Sequence, residues 1–160
     1  MRVRTLIPTA LAVTATAIIG GLASRPAQSA WYQALRKPAY QPPRQSFPIV
    51  WPILYADIAA VSAATLDDLD RHGQREERRN YVVALITNLV LNGSWSWLFF
   101  NRRKLGASAI AAAALTVSSA DLTRLAVGVR GRRAAPLGLY PLWCAFATVL
   151  STHIWALNRR

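Results

Sequence analysis

The sequence predicts an all-α integral membrane protein, with one domain over residues 1–160 in which five transmembrane helices form a bundle. Three observations carry that reading. Of 160 residues, 53% are apolar and only 16% charged, with a mean hydropathy of +0.21, whereas about a quarter of a soluble domain's residues are charged. The charges are gathered into short runs that leave five long stretches nearly free of them. At about 1.5 Å of rise per residue, a helix of roughly twenty residues crosses a hydrocarbon core of about 30 Å, and each stretch has that length.

The first helix is expected over residues 5–24, where nothing between Arg4 and Arg25 is ionisable. The basic start and the small residues Ala27-Gln28-Ser29-Ala30 resemble a secretory leader with its cleavage site. The uncharged run is longer than the usual leader core of about 7–15 residues, and Arg25-Pro26 interrupts the approach to the site, so a retained helix is the better reading. Pro8 is expected near the helix start, where amides have no helical partner. The connection from Ser24 to Ser46 is stiffened by Pro26, Pro38, Pro42 and Pro43 and carries Trp31, Tyr32 and Tyr40. A short helix is expected around Ala30 to Leu35, in a segment that reads equally as a lid or as an aromatic belt at headgroup depth.

The second helix, 46–66, sets Phe47, Trp51 and Tyr55 along one face, with Pro48 and Pro52 in its first turns. Asp57 is its only charge, read as a functional group or as a hydrogen bond between helices. Asp67, Asp68 and Asp70 are expected in a solvated turn, interleaved with Arg71, Arg75, Glu76, Glu77, Arg78 and Arg79. The third helix, 80–101, places Asn88, Asn92, Trp95 and Phe99 on one stripe. Carboxamides in lipid need partners, so Asn88 and Asn92 must face protein or a cavity. The fourth, 105–126, is rich in alanine. Ala107 with Ala111 and Ala109 with Ala113 permit close helix contact, while Asp121 and Arg124 form a structural pair at the interface. The fifth, 134–158, carries the stripe Tyr140, Trp143, Ala147 and Leu150. His153 points about 80° away from Trp143 and reads as a polar group near the membrane edge, not as an iron ligand, and Cys144 reads as a small buried hydrophobe.

Several functions are excluded. A single cysteine and two histidines allow neither a disulfide framework nor a finger-type zinc site. The net charge of +12 belongs to connections at headgroup level, where Lys and Arg are at home, and no nucleic-acid groove is expected. Arg2, Arg4, Arg71, Arg75, Arg78, Arg79, Arg130, Arg132 and Arg133 at one end balance Arg25, Arg36, Lys37, Arg44, Arg102, Arg103, Lys104, Arg159 and Arg160 at the other, so the positive-inside rule assigns no orientation. The acidic cluster has only His72 beside it and no nucleophile motif is present, so no catalytic residue and no metal site is expected.

Three helices thus each offer aromatic rings on one face, with two carboxamides among them. The amides read either as interhelical connectors or as the few polar groups of an apolar pocket. Stacked aromatic walls suit a flat, hydrophobic molecule with polar edges, such as a tetrapyrrole or a polycyclic compound.

The residues that carry a family resemblance run through nearly the whole chain. They are Trp31-Tyr32-x-x-Leu35-x-Lys37-Pro38, Pro42-Pro43, Phe47-x-x-Val50-Trp51-x-x-Leu54-Tyr55 and Leu89-x-Leu91-Asn92-x-x-Trp95-Ser96-x-Leu98-Phe99-Phe100. The series ends with Trp143-x-x-Phe146-Ala147-Thr148-Val149-Leu150 and Trp155-x-Leu157-Asn158. The sequence resembles the TspO/MBR family of tryptophan-rich sensory proteins, whose mitochondrial members are the translocator protein or peripheral benzodiazepine receptor. The resemblance implies a multi-pass bundle, in bacteria of the cell membrane, commonly a homodimer. Its pocket under the first loop would bind protoporphyrin IX, haem or benzodiazepine-site ligands, with no obligatory cofactor. Trp51, Asn92, Trp95, Trp143 and Ala147 would line that pocket, with Tyr55 and Asn88 adjacent, and the stripe on the fifth helix adds Tyr140 and Leu150.

Some members are reported to degrade porphyrin in light, and Trp51 and Trp143 match the tryptophans implicated. The chain departs from the family at Tyr40, Gln45, Asn88 and Leu139-Tyr140, positions where Trp, Trp, Gln and a Pro-Tyr pair are frequent. Thr152 and His153 stand where the mitochondrial sterol motif needs a tyrosine followed by a base, so sterol binding through that motif is not expected. Three functions follow as expectations: a tetrapyrrole receptor or carrier with a role in porphyrin regulation or transport, a light-dependent porphyrin-degrading enzyme, and a scaffold whose aromatics only pack.

Overall fold

A hydrocarbon surrounding forces the backbone to satisfy its own hydrogen bonds, and helices do so within one segment. The computed structural model describes residues 3–159, and among them every regular element is helical. The long helices are α1 (Val3–Ala23), α3 (Phe47–Arg71), α4 (Arg75–Ser96), α5 (Leu105–Arg130) and α6 (Leu139–Asn158), and the short α2 (Ala30–Ala34) lies in the proline-rich connection. A π-helical turn, Trp97–Asn101, continues α4. Four continuous helical stretches are long and apolar enough to cross a membrane, and the last of them, Leu105–Asn158, is α5 and α6 joined through the 3-10 turn Gly131–Gly138. Around the described bundle Ile7, Leu11, Ile53, Ile86, Val90, Ile110, Val117, Leu142 and Val149 are exposed, a belt suited to lipid rather than to water.

α1 rests on α3 and α4, α4 on α5, and α5 on α6, which meets α3 more sparsely. The α5–α6 pair is antiparallel and close. Thr123 donates to the Leu137 carbonyl at 3.3 Å near the turn, the Thr116 and Thr148 hydroxyls meet at 2.9 Å midway, and Gly106 faces Trp155 at the far end. A Cβ at position 106 would stand 3.1 Å from the indole nitrogen, so this contact requires glycine or a displaced Trp155.

The helix bounds differ from the expectation at the end away from α2. α3 continues through Asp67, Asp68 and Asp70 because nothing breaks it before Gly73, which holds φ +67°. The expected solvated turn is therefore corrected. Asp67 is 2% exposed and accepts from the Thr5 hydroxyl of α1, and Asp68 accepts from Arg71 and, at 2.7 Å, from Arg130 at the end of α5. These carboxylates join three helices. α4 starts at Arg75, with Glu76 and Glu77 in its first turn complementing the helix dipole. α5 reaches Arg130 and stops at Gly131, φ +57°, and residues 134–138, expected in the last helix, belong to the 3-10 turn. α1 starts at Val3, so Pro8 sits in its second turn and not among the unpaired first amides. Ala109 is buried in the bundle while Ala113 is exposed, so that pair does not form one outward face.

Candidate functional site

α1 carries small residues where it passes α3. Ala10, Thr14, Ala17, Gly20 and Gly21 leave a hollow that larger side chains would fill, and Pro48, Pro52, Ala56 and Ala59 do the same from α3. The result is a cavity of about 1120 Å³ between α1, α3 and α4. Its far wall is aromatic, with Phe47, Trp51, Tyr55, Trp95, Phe99 and Phe100, and its end near α2 is lined by Tyr32, Arg25, Arg44 and Gln45. From α6 come Leu150, Ser151 and Ile154.

The rings touch in series. Trp51 stacks on Tyr55 with centroids 5.6 Å apart and planes 29° from parallel, and meets Trp95 at 6.3 Å and 34°. Trp95 continues to Phe99 at 5.9 Å, and Phe99 meets Tyr32 of α2 at 6.2 Å. Trp31 packs on the same Phe99 from outside, at 6.4 Å. Only a few polar groups join this wall, one of them the Ser151 hydroxyl that accepts from the Trp95 indole at 3.4 Å.

Behind the wall runs a buried polar chain. Tyr55 donates to the Asn92 carboxamide at 2.7 Å, Asn92 donates to the Tyr140 hydroxyl at 2.9 Å, Tyr140 donates to Asn88 at 2.9 Å, and Asn88 donates to Ser118 at 3.3 Å. One residue of α3, two of α4, one of α6 and one of α5 are thereby joined. Asn88, Asn92 and Tyr140 are sealed from outside, at 0%, 1% and 0% exposure. Each satisfied group avoids the cost of about 1–3 kcal/mol that an orphaned buried donor or acceptor carries.

Of the nine residues the sequence singled out, Trp51, Tyr55, Trp95 and Leu150 face the cavity. Asn88, Asn92 and Tyr140 form the polar chain behind it. Trp143 is turned toward Phe47, 6.0 Å away, and toward Phe146, while Ala147 is half-buried on α6 away from the lining. The lining residues of α1, together with Arg25, Arg44 and Ser96, were not singled out. A stripe of small residues on the first helix was their one signal in the sequence.

The connection 24–46 is tied to α6. The Asn158 carboxamide bonds both backbone groups of Arg36, accepting from its amide at 3.0 Å and donating to its carbonyl at 2.9 Å. Tyr40 and His153 meet at 3.0 Å between Oη and Nδ1. Gln41 donates to the Tyr32 hydroxyl at 3.3 Å, and Lys37 stands 4.3 Å over the Tyr32 ring. Burial raises the Tyr32 phenol above its ordinary value, opposed by the Gln41 bond and by the charge of Arg44. Burial, and then the like charge of Arg44, hold the Lys37 ammonium below its ordinary value. Cys144 is buried beneath Tyr140, Asp121 and Arg124 pair at 2.6 Å on the surface, and the Oδ2 of Asp57 is buried without a hydrogen-bond partner. Among the described residues no three His, Cys, Asp or Glu side chains converge as metal ligands.

The sequence model of the TspO/MBR family matches residues 8–156. The chain is similar to the uncharacterized membrane protein YtaB of Bacillus subtilis, 31% identical over 135 residues that cover 83% of each chain. It is similar to the tryptophan-rich protein TspO of Bacillus cereus, 26% identical over 133 residues, 83% of this chain and 84% of that one. It is also similar to the translocator protein of Homo sapiens, 31% identical over 138 residues, 80% of this chain and 75% of that one. With these matches and its long apolar helices, the chain is an integral membrane protein that belongs to the TspO/MBR family.

Proposed function

We propose that this protein is a membrane receptor or carrier that takes a tetrapyrrole, protoporphyrin IX or haem, into the cavity between α1, α3 and α4. One observation supports the reading above others: the cavity of about 1120 Å³ is walled by Trp51, Tyr55, Trp95 and Phe99 in ring contact. Sites for drug-sized ligands run to about 1,000 Å³ and are lined mainly by apolar and aromatic groups. Flat faces of this kind hold a planar macrocycle by stacking, worth about 0.5–1.5 kcal/mol per ring pair beyond burial. His153 is engaged with Tyr40 and lies outside the lining, so a haem would be held by its plane and edges and not by that imidazole. The name of one relative, translocator protein, agrees with carriage. The same reading takes the five long helices as five crossings and the assembly as a homodimer, which a mass measurement in detergent tests.

Titration with protoporphyrin IX in the dark, followed by quenching of tryptophan fluorescence, tests the proposal. Saturable quenching is expected, with affinity about tenfold weaker in Trp51→Ala and in Trp95→Leu. Equal affinity in wild type and both variants, or no saturation, contradicts it and leaves the scaffold reading. Light-dependent degradation is a second reading, favoured by the oxidisable Trp51, Tyr55 and Trp95 standing together on the cavity wall. Under illumination, loss of the porphyrin spectrum should then require the protein and Trp51.

A further inference from the structure

The basic residues of the two ends of the bundle have different surroundings. At the end holding the α3–α4 and α5–α6 turns, guanidinium groups meet carboxylates: Arg71 and Arg130 meet Asp68, Arg78 meets Asp70 at 2.7 Å, and Arg124 meets Asp121. The end that holds α2 has no carboxylate side chain to offer. The first acidic residue along the chain is Asp57 and the last is Asp121, so the connections 24–46 and 101–105 and the last turns of α6 contain none. Several cations there rest on rings, Lys37 on Tyr32, Arg103 on Trp31 and Arg159 on Trp155.

Arg25 and Arg44 are the two that line the mouth of the aromatic cavity. Arg44 has one long contact, 3.5 Å, to the Ala27 carbonyl, and Arg25 has no side-chain partner among the described residues. The mouth therefore carries two exposed guanidinium groups that no carboxylate neutralises, set beside apolar walls. A guanidinium presents a planar fork that matches a carboxylate.

We propose that Arg25 and Arg44 form a carboxylate-recognising pair, so that the cavity selects a flat apolar ligand with an anionic edge over a neutral molecule of the same shape. This rests on the receptor reading and adds which residues of this chain take the carboxylates that protoporphyrin IX and haem carry. The ring wall takes the plane of the ligand, and the pair sets which edge faces the mouth.

The test compares protoporphyrin IX with its dimethyl ester, which keeps the macrocycle and removes both charges. Titrations are run in the dark in an uncharged detergent, so that no anionic lipid headgroup is present. Wild type is expected to bind the diacid about tenfold more tightly than the ester, with the difference shrinking as salt is raised. The Arg25→Gln/Arg44→Gln variant is expected to bind the diacid about as weakly as the ester. Equal affinity of wild type for the two compounds overturns the pair without recourse to any variant, and so assigns the charge to headgroups or to nothing. A diacid preference that survives in the double variant also overturns it. In both of those outcomes the receptor reading stands, whereas binding of neither compound removes both.

Discussion

Asn88 and Asn92 on α4 are sealed against α5 and α6 in a hydrogen-bonded chain, whereas Trp95, one turn further along the same helix, faces a cavity. Both regions grow from one helical stripe. Carboxamides in hydrocarbon must find partners, and helices close in until they do. An indole is satisfied by one bond and a ring neighbour, and it can border a hollow. Thus the polar chain fixes how α3, α4, α5 and α6 sit, and the aromatic wall is carried on that rigid base. Tyr55 belongs to both, with its ring on Trp51 and its hydroxyl on Asn92.

The largest effect should come from breaking the polar chain. Asn92→Ala leaves the Tyr55 donor unpaired, takes the donor from Tyr140, and opens a void. A loss of about 2–4 kcal/mol is expected, read as a large fall in unfolding temperature in detergent. Trp95→Leu at the wall sharpens the contrast: it should lower porphyrin affinity about tenfold while moving the unfolding temperature far less than Asn92→Ala. If the two variants are equally destabilised, the division between base and wall is wrong.

Asn158→Ala should cost less, about 1 kcal/mol for the two bonds to Arg36 at a half-buried site near the surface. It should also release the connection 24–46, which limited proteolysis would report as faster cleavage there. The smallest effect belongs to Asp121→Asn. Its pair with Arg124 is exposed, at 47% and 70% for the two side chains, and exposed pairs contribute about 0–1 kcal/mol at most. A large change there would mean that this surface pair helps to hold the bundle together.

Helix number and stripe membership were legible because uncharged length and the 3.6-residue period are local properties of a sequence. Which way a stripe turns inside the bundle is set by distant neighbours. Periodicity aligned Tyr140 with Trp143, yet the first is sealed among carboxamides and the second packs on Phe47. The asparagines needed partners on chemical grounds, but the partners, Tyr55, Tyr140 and Ser118, lie between 30 and 52 positions away. The α1 side of the cavity is built by what is missing from Ala10, Thr14, Ala17 and Gly20, and an absent side chain has no chemistry to announce it. Asp67 read as solvated because its neighbours are charged, and only the fold brings Thr5 to it.

A structure of the protein with protoporphyrin IX bound in the dark tests the central claim most directly. The macrocycle is expected between α1 and α3, its plane against Trp51, Tyr55 or Trp95 and its carboxylates toward Arg25 and Arg44. Density instead in the outer groove of α1 and α4, lined by Ala12, Thr16, Val90, Gly93 and Trp97, would contradict the account.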